Sequence, residues 1–134
     1  MSSEQNKALV RRFITEVFEQ GRDEAVDELC ADDFIGHTWG EVDRDGLKAA
    51  MERVGKALAD AHFAIDDMIA EDDRVAVRVT ASARQVGEFM GLPATGRSYE
   101  IGEIHIFRLR DGKVTEHWHQ YNPGALLKQL NPAG

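Results

Sequence analysis

The sequence is poor in cysteine and lacks long apolar runs. Cys30 is the only cysteine among 134 residues, which excludes an internal disulfide and a metal site built from several thiolates. No apolar run approaches the roughly 20 residues of a membrane-spanning helix, and the N-terminus lacks the basic and then apolar character of a signal peptide. We therefore expect a soluble cytoplasmic protein in which Cys30 only fills the core.

Basic side chains are also in the minority. Sixteen Lys and Arg stand against 24 Asp and Glu, a formal charge of −8, so nonspecific attraction to nucleic acid or to an anionic membrane is unfavourable. Apolar residues make up 43% of the chain and charged residues 30%, which is typical of a globular protein and not of a disordered one. A chain of this length forms one core, so residues 1–134 are expected to be a single domain.

Helical patterns fill most of the first half of the chain. Ser2 and Gln5 form a capping-box pattern ahead of an amphipathic helix, which Gly21 ends. A short second helix is predicted from Asp23 onwards. After a loop over residues 34–40, a third helix is predicted, so that three helices precede any long strand.

The second half alternates apolar and polar residues with a period of two, which predicts β-strands. Two antiparallel strands flank the turn at residues 71–73, and residues 99–109 and 114–121 form two more. A short C-terminal helix follows. Helices followed by a meander of strands predict an α+β fold, in which a curved, mostly antiparallel sheet wraps over the helices as a cone and encloses a small-molecule cavity.

Ionisable residues interrupt the apolar face of the predicted strands. Glu103 and His105 lie in a row with apolar side chains, where an unpaired charge costs several kcal/mol. The next strand adds His117, His119 and Tyr121 at the same spacing. Groups in such a setting are candidates for acid or base chemistry.

The turn between these two strands determines which side chains meet. A three-residue loop pairs His105 with His117 and Glu103 with His119, so that the polar groups share one wall. A two-residue turn shifts the register by one, pairs His105 with Trp118 and breaks the cluster. We favour the three-residue loop.

Two further expectations follow from this arrangement. Ile104, Ile106 and Trp118 lie on the outer face of the sheet and need cover, which predicts a homodimer through the sheet. Imidazoles and a carboxylate can ligate zinc, but their spacing here matches no compact metal motif, so no metal site is predicted.

A second set of residues is predicted to contact a hydrophobic small molecule in the cavity. Some lie in loops at the mouth of the predicted cone, and the others face its interior from strands. For His37 and Asn122 a structural role, as a loop histidine bonded to backbone and as a helix cap, stays open. The set is His37, Trp39, Phe63, Phe89, Met90, His117, Tyr121 and Asn122.

Residues 91–131, GLPATGRSYEIGEIHIFRLRDGKVTEHWHQYNPGALLKQLN, resemble the C-terminal half of SnoaL-like polyketide cyclases, within the nuclear-transport-factor-2-like superfamily. The segment FIGHTWG at residues 34–40 and the first and third helices resemble the family as well, so the likeness covers essentially the whole chain. The resemblance implies a cone-shaped α+β barrel and chemistry without a cofactor. This fold hosts many functions, and the resemblance alone does not name a reaction.

The resemblance also implies roles for individual residues. In the family's cyclases an aspartate on the last strand acts as general base for an intramolecular aldol ring closure, and a histidine on the preceding strand holds the substrate's oxygens. That histidine corresponds to His105, whereas the aspartate's place falls on His119, which departs from the family pattern. Imidazole can act as a base near pH 7, because its unperturbed pKa is about 6.5.

The expected function is therefore that of a SnoaL-like cyclase or isomerase acting on a polyketide-like compound. In this mechanism His119 removes a proton beside a carbonyl, Glu103 stabilises the imidazolium, and His105 and Tyr121 donate hydrogen bonds to the enolate. Two alternatives stay open. One is an epoxide hydrolase or hydratase in which Glu103 orients a water molecule, and the other is a noncatalytic protein whose histidines merely line the pocket.

Overall fold

The computed structural model of the protein describes residues 2–38 and 40–133. In chain order the elements are α1 (Ser3–Phe13), α2 (Asp23–Leu29), β1 (Cys30–Gly36), α3 (Arg44–Ala57), β2 (Leu58–Glu71), β3 (Arg74–Gln85), β4 (Ser98–Arg110), β5 (Lys113–Tyr121) and α4 (Pro123–Leu130). Within the described residues, the five strands form one sheet in the order β1-β5-β4-β3-β2, in which β1 runs parallel to β5 and the other neighbours are antiparallel. The predicted α+β fold, a curved, mostly antiparallel sheet with N-terminal helices and a short C-terminal helix, is confirmed.

The N-terminal helix begins and ends as the sequence predicts. The Oγ of Ser2 accepts a hydrogen bond from the backbone N–H of Gln5, and the Gln5 side chain accepts one from the N–H of Ser2 in return. After α1 the chain widens into a π-helical turn, Ile14–Glu19, which ends before Gly21 with its φ of 62°. This turn carries Phe18 toward the interior of the cone.

Strand β1 is absent from the prediction, which assigned residues 34–40 to a loop and placed no strand before the third helix. The structure instead pairs Gly36 with His117, in parallel with β5. Two features make this strand difficult to predict from the sequence. It is short, and its burial does not alternate, since the adjacent residues Cys30 and Ala31 are both buried.

The β4–β5 hairpin differs from both registers considered from the sequence. Asp111 and Gly112 have positive φ angles, 50° and 75°, and form a two-residue turn, so that Arg110 pairs with Lys113. The predicted three-residue loop is therefore wrong. A β-bulge at Thr115 then inserts one extra residue into β5.

This bulge restores the alternation that the two-residue turn alone would have shifted. Beyond it His105 pairs with His119, and Glu103 pairs with Tyr121. The predicted pairing of His105 with His117 is wrong, because the two-residue turn and the bulge each move the partner along by one residue relative to that register. The convergence of these side chains on one face of the sheet is nevertheless confirmed.

The core fills the space between the helices and the sheet in two clusters. The larger one packs α1 and α2 onto β3 and β4, with Phe13 and Phe107 fully buried in edge contact. The smaller one packs Leu126 and Leu130 of α4 against the inner side of β4. Cys30 lies in the larger cluster, where burial raises the pKa of its thiol to about 12, as suits a residue that only packs.

The outer face of the sheet leaves apolar side chains in solvent. Ile104 and Ile106 on β4 are 53% and 38% exposed, as predicted. Ile106 pairs with Trp118 of β5, which lies on the same face. Within the part of the chain that the structure describes, no helix combines the length and hydrophobicity needed to span a membrane.

Gln85, at the end of β3, anchors the connection to β4 although it is fully buried. Its Nε2 donates to the carbonyl oxygens of Gly87, Leu92 and Pro93 at 3.0–3.1 Å, and its Oε1 accepts from the hydroxyl of Thr95 at 2.7 Å. One side chain thus satisfies backbone groups along most of a loop that has little regular structure of its own.

Replacing Gln85 with methionine keeps the volume of the side chain and removes all of these hydrogen bonds. We expect Gln85→Met to lower the free energy of unfolding by about 1–3 kcal/mol, because part-buried carbonyls lose the amide that donates to them. Amide exchange in residues 86–97 should speed up. Gln120→Met, at an exposed position, is the matched control, and equal urea-unfolding energies for the two variants would contradict the anchoring role.

Candidate active site

A cavity of about 440 Å³ lies between the inner face of the sheet and the covering helices. Most of its wall is apolar and comes from the π-helical turn, from α3, from β2 and from the loop before β4. The polar side chains are gathered on the β4–β5 side, at Glu103, His105, His117, His119 and Tyr121. The apolar lining includes Phe18, Phe34, Met51, Val54, Phe63 and Phe89.

His105 occupies the centre of the polar wall, with 1% of its surface exposed. Its Nε2 lies 2.9 Å from Oε1 of Glu103, and its Nδ1 lies 2.9 Å from Nε2 of His117. Both ring nitrogens are therefore engaged within the protein. The sequence-based mechanism gave His105 a hydrogen bond to the substrate, and in this geometry the ring has no N–H left for one.

His119 stacks on His105, with ring centroids 4.1 Å apart and planes inclined by 12°. Its Nε2 lies 3.1 Å from the same oxygen of Glu103, but it is not aligned for a hydrogen bond and has no partner elsewhere in the described residues. The side chain keeps 11% of its surface exposed, against 2% for that of His105. Both rings line the cavity, and His119 is the more exposed of the two.

Charge on this wall is set by burial and by the hydrogen bonds of Glu103. Burial alone would raise the pKa of Glu103, but the hydrogen bond from His105 and the nearby imidazole of His119 lower the pKa to about 2. Burial lowers the pKa of His105 despite its bond to Glu103, and it lowers the pKa of His117 strongly. At neutral pH the carboxylate is thus ionised, and both buried imidazoles are neutral.

Two tyrosines complete the polar part of the cavity. Tyr121 pairs with Glu103 across the strands, and burial together with that carboxylate raises the pKa of its hydroxyl. Tyr99 also lines the cavity, and burial together with Glu103 raises its pKa to about 12. Tyr99 was not among the predicted site residues, although it shares the inward face of β4 with Glu103 at a spacing of four and the period-two pattern could have found it.

The remaining predicted residues divide between the cavity and other places. Phe63, Phe89 and Met90 line the cavity as expected. Asn122 does not, and its Oδ1 caps α4 by accepting from the N–H of Ala125 at 3.1 Å. Trp39 lies outside the described residues.

His37 lies away from the cavity mouth where it was expected. Its ring stacks on Trp118 at 5.3 Å, and its Nε2 contacts Oε2 of Glu116 at 2.7 Å on the outer side of β5. The cause is strand β1, because the N–H of His37 donates to the carbonyl of His117 and extends the parallel pairing beyond Gly36. The His37 side chain therefore lies on the outer face of the sheet, beside Glu116 and Trp118 of β5.

Glu103, His105 and His119 could in principle hold a metal, since one donor atom from each lies within 4.8 Å of the others. The two imidazole planes are nearly parallel, however, so their nitrogen lone pairs run side by side and do not converge on one point as a tetrahedral ion requires. The oxygen they would share already accepts a hydrogen bond from His105. The arrangement suits protons better than a metal ion.

Sequence comparison places this architecture in a known family, since the model of the SnoaL-like polyketide cyclases matches residues 8–130. The chain belongs to the SnoaL-like polyketide cyclase family. This confirms the resemblance seen in the sequence. It also agrees with the cone-shaped α+β fold, which is of the nuclear-transport-factor-2-like type.

Among SnoaL-like relatives, nogalonic acid methyl ester cyclase of Streptomyces nogalater is 28% identical over 120 residues, 84% of this chain and 88% of that protein. Aklanonic acid methyl ester cyclase DnrD of Streptomyces peucetius is 39% identical over 49 residues, which are 35% of this chain and 34% of DnrD, so the match spans about a third of that relative. The solved structure of TsrD from Streptomyces laurentii superposes with a TM-score of 0.87 at 28% identity and covers 97% of each chain.

The buried imidazoles of this SnoaL-like protein should make its stability sensitive to pH. Burial lowers the pKa of His105 and of His117 in the folded protein. Below the ordinary histidine pKa of 6.5 the unfolded chain therefore binds more protons than the folded protein, and the free energy of unfolding should fall as the pH drops. A further loss should follow from about 4.5 to about 2, where Glu103 is protonated only in the unfolded chain.

Urea unfolding measured across this pH range checks the expectation. Glu103→Gln should reduce the more acidic loss, because the new amide does not titrate. The loss just below pH 6.5 should stay in place, because the two imidazoles remain buried. An unfolding free energy that is constant on both sides of pH 6.5 would show that the imidazoles are not held neutral.

Proposed function

We propose that the protein is a cofactor-independent cyclase that removes a proton next to a carbonyl and closes a ring by an aldol reaction in a hydrophobic, polyketide-like substrate. The observation that carries this proposal is the contact of His119 with the ionised Glu103, 3.1 Å apart, on the wall of an otherwise apolar cavity. Family membership and the cyclase relatives support the same reaction class.

His119 is the proposed general base. It contacts a carboxylate, whose negative charge stabilises the imidazolium that forms when the ring takes a proton from the substrate. Because Nε2 lies against Glu103, Nδ1 is the nitrogen left to face the substrate. The ring takes the proton from the carbon next to the carbonyl, and an enolate forms.

The hydroxyls of Tyr121 and Tyr99 are the proposed donors to the enolate oxygen. Both stay protonated in the cavity, since burial raises the pKa of each. The enolate carbon then attacks a second carbonyl of the same molecule. A carbon–carbon bond forms, and the new alkoxide recovers the proton from the imidazolium of His119, which regenerates the base.

Turnover of a candidate substrate tests this assignment. Nogalonic acid methyl ester and aklanonic acid methyl ester, named for the relatives, are the first compounds to try, in the presence of a chelator because no metal is proposed. We expect His119→Ala to lower kcat by roughly 10²-fold or more, since a positioned general base contributes about that much.

The control is His62→Ala, which removes an exposed histidine that contacts Glu19 and lies outside the cavity lining. Its turnover should stay within about twofold of the starting protein. Near-normal turnover by His119→Ala would eliminate the base assignment. Tight binding with recovery of unchanged ligand would favour a binding protein, and incorporation of labelled oxygen from water would favour a hydrolase.

We also propose that two copies of the chain associate through the outer faces of their sheets. Ile104 and Ile106 are exposed there beside Trp118, and charges of both signs flank them, with Arg78 near Asp67. A face of this kind is self-complementary under a two-fold axis, which places each apolar patch against its copy.

Light scattering at micromolar concentration checks the association. We expect a dimer mass for the unaltered protein and a monomer mass for Ile104→Lys, because a buried, unpaired ammonium would oppose the contact. Val86→Lys, an exposed apolar position in the loop after β3, is the control and should stay dimeric. A monomeric mass for the unaltered protein would contradict the proposed association.

A further inference from the structure

His117 is a buried titratable residue that takes no part in the proposed chemistry. It is 4% exposed, and its ring packs among Phe13, Phe18 and Phe107 at centroid distances of 4.7–6.3 Å. An imidazole in such a place is costly unless its polar atoms are used. Its Nε2 is used, at 2.9 Å from Nδ1 of His105.

The partners along this wall fix where the protons lie. A carboxylate can only accept, so Nε2 of His105, 2.9 Å from Glu103, carries a hydrogen. In a neutral ring Nδ1 is then a lone pair, and Nε2 of His117 must carry the hydrogen that it receives. The hydrogen bonds run in one direction, from His117 to His105 and from His105 to Glu103.

Few charged groups surround this pair of rings. Among the described residues, those that act on it are Glu103 and His119 on the cavity side and His37 on the side of β1. The π-helical turn after α1 presents Phe18, and β3 presents Val77 opposite His105. A positive charge on either ring would therefore have Glu103 as its one close counterion.

We propose that His117 is a positioning residue: by donating Nε2–H to Nδ1 of His105 it holds His105 neutral and leaves the charge of Glu103 for His119. The inference rests on the proposed role of His119 as base. Protonated His105 would have no lone pair to accept the hydrogen of His117, so the donor opposes that state.

The consequence for catalysis is a division of labour between two stacked imidazoles. If His105 were a cation, Glu103 would already be neutralised, and a second imidazolium at His119 would form 4.1 Å from the first. Like charges at that distance disfavour each other, so the base would lose its driving force. With His105 neutral, the carboxylate of Glu103 has no cation beside it, and its negative charge stabilises a proton on His119 alone.

Imidazole nitrogen NMR on the unaltered, ligand-free protein is the first test. At neutral pH both His105 and His117 should be neutral and carry their hydrogen on Nε2, with a coupling or exchange signature across the bond between the rings. A charged His105, or a hydrogen on its Nδ1, would overturn the proposal without any variant being needed.

His117→Phe is the second test, because it keeps an aromatic ring of similar size and removes the donor. We expect His105 to take up its proton at a pH about one unit higher, and the acid-side fall of kcat/KM to move in the same direction. Phe107→Leu trims the same aromatic cluster and leaves all hydrogen-bonding groups in place. Phe107→Leu should lower stability without changing the pH at which His105 takes up its proton or the pH at which kcat/KM falls. If these pH values are the same in His117→Phe and Phe107→Leu, the positioning role is contradicted.

The two proposals can fail separately. The protonation state of His105 is measured without substrate. The test of the hydrogen-bond direction is therefore independent of the reaction that the protein catalyses. If His119→Ala turns over substrate normally while the NMR pattern is as expected, the base assignment fails and the hydrogen-bond direction remains. Should His117→Phe not fold, the measurement on the unaltered protein still decides.

Discussion

The interior of this protein depends on one carboxylate, Glu103, that stays ionised inside an apolar cavity. Unpaired, such a group would cost several kcal/mol or would simply take up a proton. The hydrogen bond from His105 and the contact with His119 stabilise its anionic form, and the pKa of about 2 reflects that balance. Because the carboxylate accepts and never donates, it dictates the tautomer of His105 and, through that ring, the proton position on His117. The polar wall is therefore one coupled unit.

Sheet geometry brings this unit together, and much of it could be predicted from the sequence. Period-two alternation put Glu103 and His105 on the inward face of β4 and the histidines of β5 on the same wall. The capping box at Ser2 and the start of α4 at Asn122 could be predicted as well, because each depends on residues within one turn of helix. Local signals predict local structure and the face on which a side chain lies.

Features that depend on residues distant in the chain could not be predicted from the sequence. The bulge at Thr115 sets which histidine faces His105, yet no residue nearby marks it, and it arises where β5 pairs with β1 on one side and β4 on the other. Strand β1 likewise exists only because β5 accepts it in parallel, and that pairing turns His37 to the outer face beside Trp118. Long-range pairing therefore decided the parts of the site that the sequence left open.

The departure of His119 from the family's implied aspartate has a physical reason in the same network. A carboxylate at position 119 would share a buried wall with Glu103, and two carboxylates close together in a buried site do not readily both ionise. One of the two would then hold a proton and could not act as a base. Imidazole turns that repulsion into attraction once it is protonated. Glu103 and His119 are thus interdependent, and an aspartate at 119 would call for a neutral partner at 103.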